Sequence, residues 1–316
     1  MKHLFIINPA AGKKDSTAHL LDQIYAVFSR QSCQVALTHG AGDARAIAEK
    51  AVARREPIRL YACGGDGTLN EVVNAAAGCP WAAVTNVPKG TGNDFLRIFG
   101  KEGVRRFTDL AALRDGPQAP LDLMDCNGLL GIDVACAGVD ARVAGDVDRY
   151  KALPLVTGAG AYISSLAVNV LFKGITRPMA VDMGPIHFEG EVSILCVCSG
   201  RYYGGGFMPV GDAQPDDGVL DMLLVPKVNR RTFARLVGKY AKGRYREFPE
   251  LITHYHGQRV DFSSPVELVV VVDGEVLRGR EFTIRLSEKK LNFFYPPDVF
   301  WRESSQSANK SPEAKS

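Results

Sequence analysis

Gly64, Gly65 and Gly67 surround Asp66, and this combination could bind a phosphate group or its metal ion. An apolar run ends here, and helical periodicity begins at Thr68. Glycines at a strand-to-helix junction let the backbone approach a ligand closely, and the helix N-terminus presents free N–H groups to an anion. Asp66 would then lie beside the phosphate. Taken alone, the pattern fits a tight turn with a solvated aspartate equally well.

The residues after this turn predict where the helix begins. Thr68 and Glu71 have the spacing of a capping box, in which a hydroxyl and a carboxylate reciprocally bind two free N–H groups. We therefore expect the helix to start at Thr68.

A second polar turn follows the first apolar run, at residues 8–14. Asn8 begins the turn, and Gly12 permits close approach of the backbone to a ligand. Lys13 or Lys14 could carry positive charge to a phosphate.

A third turn, at residues 88–94, follows the fourth apolar run. Gly90 and Gly92 expose backbone, while Thr91, Asn93 and Asp94 supply polar side chains. Since the carboxyl ends of parallel strands share one edge of a sheet, we expect all three turns to meet there. Neither the P-loop pattern nor a dinucleotide-binding G-x-G-x-x-G after a strand is present.

Strands and helices are predicted to alternate in the first third of the chain. Predicted strands cover residues 3–7, 34–38, 58–62 and 82–87, and predicted helices cover 16–30, 43–55, 68–77 and 96–114. This alternation predicts an α/β domain with a parallel sheet over residues 1–116. A segment rich in Gly and Pro, residues 115–120, separates it from the remainder.

Short apolar runs separated by turns dominate the rest of the chain, which predicts an antiparallel β-sandwich with inserted helices over residues 117–302. The last strand could return to the first domain. The runs are residues 121–124, 129–135, 192–198, 219–225, 259–262, 266–272, 282–286 and 291–295, with helices at 161–172 and 230–241. The polar residues 303–316 are predicted to be a disordered tail.

The composition is typical of a globular protein. The 316 residues are 46% apolar and 23% charged, and the seven cysteines have no metal-ligand spacing. Scattered cysteines and a first strand at the N-terminus, without a signal peptide, predict a cytoplasmic protein. Residues 152–172 carry no charge, but their Pro, Gly and Asn residues favour a loop and a buried helix over a membrane span.

Eight basic residues and no acidic one lie in residues 227–246, within a chain whose net charge is only +3. Their helical spacing predicts a basic amphipathic helix, which could contact an anionic membrane surface. A helix that packs on the core and exposes its basic face to solvent explains the pattern as well. No nucleic-acid-binding motif accompanies the segment, so no nucleic-acid partner is expected.

Taken together, the motifs resemble those of the diacylglycerol kinase catalytic family. They are Asn-Pro with Gly12, GGDGTLNEVVN at 64–74 and PKGTGNDF at 88–95, followed by GGGFMP at 204–209, DDGVLD at 216–221 and VDGE at 272–275. The resemblance extends over residues 2–295 and is closest to the soluble bacterial branch, which is related to sphingosine kinases. Ala75 stands where that family often has glycine.

The resemblance implies that ATP binds in a cleft between the two domains, with Asp66 beside its phosphates and Mg²⁺. Lys13, Asp94 and Asp217 would form a charge network. The implied nucleotide-binding residues are Asn8, Gly12, Lys13, Gly64, Gly65, Gly67, Thr68, Glu71, Gly90, Thr91, Asn93 and Asp94. The side chain of Asp216 or Asp217, with a backbone carbonyl near Val219, could hold a second, structural Mg²⁺.

Glu275 is the first candidate implied for the general base that deprotonates a lipid hydroxyl, and Asp273 is the second. From the residues alone, Asp273 and Gly274 equally fit a hairpin turn, with Glu275 as a solvated side chain.

We therefore expect an ATP-dependent lipid kinase that binds peripherally to membranes, with diacylglycerol as the first-choice acceptor and phosphatidic acid as its product. Phosphatidylglycerol, ceramide and a sphingoid base remain alternative acceptors. Rival interpretations are an NAD kinase-like or phosphofructokinase-like enzyme, and a non-catalytic regulator that binds nucleotide or lipid. Strand edges of the second domain could pair in a homodimer.

Overall fold

The chain divides into two compact units in a computed structural model that describes residues 1–12, 14–90, 92–139, 141 and 175–301. Unit 1 comprises Met1–Leu121 with Lys289–Ser316, and unit 2 comprises Asp122–Glu288. The predicted helix at 161–172 and the predicted tail at 303–316 lie outside the described residues. None of the helices within the described part of the chain is long and apolar enough to cross a membrane.

Among the described residues of unit 1, six strands form one sheet in the order β2-β1-β3-β4-β15-β5. All neighbouring strands are parallel except β15 and β5, which pair antiparallel, so the predicted α/β domain with a parallel sheet is confirmed apart from this edge pair. The strands are β1 (Lys2–Ile7), β2 (Cys33–Leu37), β3 (Ile58–Gly64), β4 (Ala82–Pro88), β5 (Gln118–Leu121) and β15 (Leu291–Phe294).

The helices of unit 1 follow the predicted alternation, except near residues 96–114. There the chain forms a 3-10 turn (Phe95–Phe99) and two short helices, because Asp109 caps a new helix by accepting the N–H of Ala112 at 3.0 Å. The helices are α1 (Thr17–Val27), α2 (Asp43–Val52), α3 (Asp66–Ala76), α4 (Gly100–Arg106) and α5 (Leu110–Asp115).

Strands β5 and β15 belong to the unit 1 sheet: β15 is the last strand, which could return to the first domain, and β5 lies just beyond the boundary expected at residue 116. Phe294 is fully buried there, and its ring lies edge-on to Tyr61 at 5.0 Å between centroids. The buried Arg59 guanidinium donates to the carbonyls of Leu113 (2.9 Å) and Gly116 (2.7 Å), which fixes the end of α5. Long-range aromatic packing therefore draws β15 into this sheet.

In the described part of unit 2, nine strands form an antiparallel sheet, which confirms the predicted antiparallel fold. Strands β12-β11-β10-β8-β13-β14-β6-β7 follow in this order, and β9 pairs with β10 and β13. The strands are β6 (Met124–Cys126), β7 (Leu129–Gly131), β8 (Val134–Gly138), β9 (Arg177–Asp182), β10 (His187–Cys198), β11 (Leu220–Pro226), β12 (Thr253–Gly257), β13 (Arg259–Val272) and β14 (Glu275–Leu286).

Both faces of the unit 2 sheet are buried in its centre. Along β10, Ile194 and Cys196 join one apolar cluster, while Leu195 and Val197 join another, as the period of two requires. Helix α6 (Arg230–Tyr240) adds buried residues, including Phe233, to the first cluster. This helix agrees with the one predicted at 230–241.

Candidate functional site

Three turns meet at the carboxyl-end edge of the unit 1 sheet. The N–H of Asn8, just after β1, donates to the carbonyl of Cys63 in β3 at 3.0 Å. The N–H of Lys89, just after β4, donates to the carbonyl of Gly64 at 3.0 Å. Strand order reverses between β1 and β3, and such a switch point is where open α/β sheets bind ligands.

Glycine is required where these turns touch. Gly12 has φ +89°, and a Cβ there would lie 2.5 Å from the carbonyl oxygen of Lys89. A Cβ at Gly90 would lie 2.5 Å from the Cα of Gly65. The backbones therefore pack directly against each other beside the N-terminus of α3, and helix N-termini are common anion-binding sites.

Asp66 is the first residue of α3, and its carboxylate organises the loop at residues 88–94. Oδ2 accepts the N–H of Asn93 at 2.9 Å, and Oδ1 accepts the N–H of Asp94 at 2.6 Å. Burial raises the pKa of Asp66 above the usual aspartate value, although these two hydrogen bonds act in the opposite direction. The carboxylate is therefore held in one orientation at a helix N-terminus.

The loop that Asp66 organises has further internal contacts. Asn93 has φ +50°, and its side-chain amide donates to the carbonyl of Gly90 at 2.7 Å. The carboxylate of Asp94 lies 3.0 Å from Nε of Arg97, an ion pair that sequence reasoning missed. Lys13 and Thr91, both predicted to bind nucleotide, lie outside the described residues.

The predicted capping box of Thr68 and Glu71 is wrong. Helix α3 starts at Asp66, two residues earlier, because extended Gly65 serves as its N-cap. Thr68 Oγ1 accepts from the side-chain amide of Asn8 at 3.2 Å. Glu71 instead accepts the N–H of Gly42 at 2.8 Å, at the N-terminus of α2.

Exchanging Gly12 for alanine should disturb this packing of the turns. We expect the free energy of unfolding to fall by about 1–3 kcal/mol, because the new Cβ would displace residue 89. Gly42→Ala is the matched control, since Gly42 has φ +86° but nothing within 4 Å of its added Cβ. Equal losses of stability in the two variants, measured by denaturant unfolding, would contradict the steric explanation.

In unit 2, Asp273 lies in a tight hairpin turn, and its side chain forms hydrogen bonds to the backbone at the start of β8. Asp273 and Gly274 have φ of 49° and 94°, as a two-residue turn of this class requires. The Asp273 carboxylate accepts the N–H groups of Ile132 (2.6 Å), Asp133 (3.1 Å) and Val134 (3.0 Å). Glu275, two residues later, starts β14 and is exposed.

The loop at residues 215–219, here named the acidic loop, lies before β11. The buried carboxylate of Asp122, which sequence reasoning missed, holds it in place. Asp122 Oδ2 accepts the N–H of Gly218 at 2.7 Å, and the Asp122 N–H donates to the carbonyl of Pro215 at 2.7 Å. The available signal was an aspartate within a predicted apolar strand. Asp217 Oδ1 accepts the N–H of Val219 at 3.1 Å.

Negative charge accumulates around this loop. Burial is the largest cause that raises the pKa of Asp217, and the carboxylates of Asp221 and Asp216 raise it further. Carboxylate and carbonyl oxygens are the ligands that Mg²⁺ prefers, so the donor set fits that ion. The buried guanidinium of Arg201 partly offsets the charge, since Asp216 interacts with it electrostatically.

Comparison with known proteins identifies two domains in this chain. Residues 2–126 match the diacylglycerol kinase catalytic domain, and residues 133–294 match the YegS C-terminal NAD kinase beta sandwich-like domain. A probable lipid kinase YegS-like from Pseudomonas aeruginosa is 32% identical over 83% of this chain and 84% of that protein. A diacylglycerol kinase from Bacillus subtilis is 29% identical over 85% and 88%.

A solved structure of a diacylglycerol kinase from Bacillus anthracis has the same fold. The match covers 95% of this chain and 98% of the solved chain, with 20% sequence identity and a TM-score of 0.68. The motifs, the fold and the matched domains lead to one assignment: the chain is a kinase that belongs to the diacylglycerol kinase catalytic family, in the branch of the bacterial YegS-like lipid kinases.

Proposed function

We propose that this protein transfers the γ-phosphoryl group of ATP to the hydroxyl of diacylglycerol, forming phosphatidic acid. The carboxylate of Asp66, held at the N-terminus of α3 by two backbone N–H groups, is the observation that carries the proposal. Phosphoryl transfer depends mainly on positioning and on neutralising charge. A fixed carboxylate among glycine turns suits positioning, and it could hold the Mg²⁺ that would neutralise charge.

Glu275 is the proposed general base. The hydroxyl oxygen of the lipid attacks the γ-phosphorus, the bond to the β,γ-bridging oxygen breaks, and the hydroxyl proton moves to the Glu275 carboxylate. ADP leaves with the electron pair of the broken bond. We prefer Glu275 to Asp273 because both oxygens of Asp273 already accept backbone N–H groups.

The nucleotide site is proposed to use the three turns of unit 1. The N–H groups of the glycine turns would bind phosphate oxygens, and Lys13 would add positive charge. Asp66 would hold the nucleotide's Mg²⁺, directly or through water, and that ion would neutralise developing phosphate charge. Asp216, Asp217 and the Val219 carbonyl are proposed to hold a structural Mg²⁺.

A panel of acceptors tests the substrate class. Purified protein receives labelled ATP, Mg²⁺ and mixed micelles of diacylglycerol, phosphatidylglycerol, ceramide or a sphingoid base, with NAD and fructose 6-phosphate as soluble acceptors. We expect the highest kcat/KM with diacylglycerol. Faster labelling of another lipid would overturn the choice of acceptor, and labelling of a soluble acceptor alone would overturn lipid phosphorylation.

We further propose that α6 and the following turn contact anionic membranes. Part of the basic segment is already neutralised, since Glu247 pairs with Lys239 and Arg244, and Asp212 pairs with Arg246. The exposed side chains without such ion pairs in the described residues include Arg231, Arg235 and Lys242.

Reversing the charge of Arg231, Arg235 and Lys242 to glutamate should release the protein from phosphatidylserine vesicles in a sedimentation assay. Each basic residue near an anionic surface contributes about 1 kcal/mol, so loss of three should weaken binding by at least about 100-fold. The control reverses three exposed charges of unit 1: Lys50, Arg54 and Lys101. Equal binding by the two triple variants would reject this docking surface.

A further inference from the structure

Two histidines and one aspartate converge at the edge of the unit 2 sheet. Asp221 on β11 lies opposite His256 on β12, and His254 is two residues earlier on β12. Residues two apart on a strand point to the same face, so the three side chains share one face. Nε2 of His254 and Nε2 of His256 lie 2.7 and 3.1 Å from Oδ1 of Asp221.

The spacing of these atoms is close to that of a metal site. The three ligand atoms lie within 4.8 Å of one another. Bonds of about 2.0–2.1 Å to a tetrahedral Zn²⁺ place ligand atoms about 3.3 Å apart. Because the observed nitrogen–oxygen distances are 2.7 and 3.1 Å, side-chain shifts of a few tenths of an ångström would admit the ion.

A tyrosine fixes the orientation of one imidazole. The hydroxyl of Tyr245 lies 2.9 Å from Nδ1 of His254, and Tyr245 itself is buried. When Nδ1–H of His254 donates to this hydroxyl, the lone pair of Nε2 faces Asp221 and can bind a metal. Histidine ligands of metal ions commonly have such a partner on the second nitrogen.

Burial is graded across the cluster. The side chains of Asp221 and His254 are 11% and 17% exposed, whereas that of His256 is 62% exposed. An ion bound to all three would therefore have two enclosed ligands and a side open to water. Arg246 interacts electrostatically with Asp221, and its guanidinium pairs with Asp212 at 2.9 Å.

Another histidine–aspartate pair in unit 2, between β9 and β10, can be compared with this cluster. His187 on β10 lies opposite Asp182 on β9, with Nδ1 at 3.1 Å from Oδ2. Both side chains are more than half exposed, and this pair is not part of a three-ligand group among the described residues. It is a cross-strand surface pair and provides a matched comparison.

We propose that Asp221, His254 and His256 bind a divalent transition-metal ion, Zn²⁺ foremost, which joins edge strand β12 to β11. Two imidazole nitrogens and one carboxylate oxygen suit Zn²⁺, whereas Mg²⁺ prefers oxygen ligands alone. Three protein ligands leave a fourth position for water at the exposed side of His256. The proposal does not depend on phosphoryl transfer.

Zinc titration of the full chain tests the proposal without ATP or lipid. After treatment with a chelator and its removal, the protein competes with a chromophoric chelator for Zn²⁺. We expect one equivalent to bind in the presence of excess Mg²⁺ and to raise Tm. His256 is exposed, and His256→Gln should lower the affinity for Zn²⁺ at least about 100-fold. Tyr245→Phe should lower this affinity about 10–100-fold. His187→Gln should leave it unchanged.

Spectroscopy of the bound Zn²⁺ distinguishes binding at Asp221, His254 and His256 from binding at the acidic loop. X-ray absorption at the zinc edge should show two imidazole ligands, and this signature should disappear in His256→Gln but persist in Asp217→Asn. Circular dichroism of the metal-free variants checks that each is folded. Absence of tight Zn²⁺ binding, or binding that survives His256→Gln and fails in Asp217→Asn, would overturn the proposal.

Discussion

Asp66→Asn is expected to lower kcat/KM for lipid phosphorylation by about 10²–10³-fold, the range for removal of one preorganised electrostatic group. The substitution removes the negative charge proposed to orient Mg²⁺. It also turns one acceptor into a donor, which would face the N–H of Asn93 or Asp94. A buried N–H without an acceptor costs about 1–3 kcal/mol, so the loop at residues 88–94 should also lose order.

Asp43→Asn is the matched control for this prediction. Asp43 is the first residue of α2, as Asp66 is of α3, and it accepts the N–H of His39 at 2.7 Å. Its variant should keep wild-type kcat/KM. If Asp66→Asn remained within threefold of wild type while folded, the proposed role of Asp66 would be wrong.

The second prediction with a large effect tests whether Glu275 or Asp273 is the general base. A general base contributes about 10²–10⁴-fold, so Glu275→Gln should lower kcat by that factor. Since Glu275 is exposed at the start of β14, Tm should hardly change. Glu281→Gln, an exposed position on the same strand, should leave both kcat and Tm unchanged.

Asp273→Asn should show the opposite balance between stability and activity. Its carboxylate accepts three backbone N–H groups, and the amide cannot accept all of them. We expect a loss of about 1–3 kcal/mol in the free energy of unfolding, which lowers Tm by several degrees. A large drop in kcat for Asp273→Asn with unchanged Tm, and none for Glu275→Gln, would make Asp273 the base.

Local patterns were sufficient to predict much of unit 1. Strands β1, β3 and β4 consist of short apolar runs that end in glycine or polar turns, and parallel pairing follows from the alternation with helices. The meeting of Asn8, Asp66 and the loop at residues 88–94 follows from that topology. The family resemblance then supplied the kinase assignment, which the comparisons confirm.

Features that depend on distant partners could not be predicted. Glu71 has the spacing of a capping residue, yet its carboxylate binds a backbone N–H 29 positions away at Gly42. Asp273 fits a simple turn, and its three acceptor contacts to residues near 133 appear only when β13 pairs with β8. Asp122 stands out as an aspartate within a predicted apolar strand, but its role in holding the acidic loop depends on its distant contact with Gly218.

The most direct test of the proposed function measures transfer of the labelled γ-phosphoryl group from ATP to diacylglycerol in mixed micelles with Mg²⁺. Wild-type protein should form labelled phosphatidic acid, and folded Asp66→Asn should form it at least 100-fold more slowly. Folded wild-type protein that labels no lipid, or an Asp66→Asn variant that labels diacylglycerol at the wild-type rate, would contradict the proposed function.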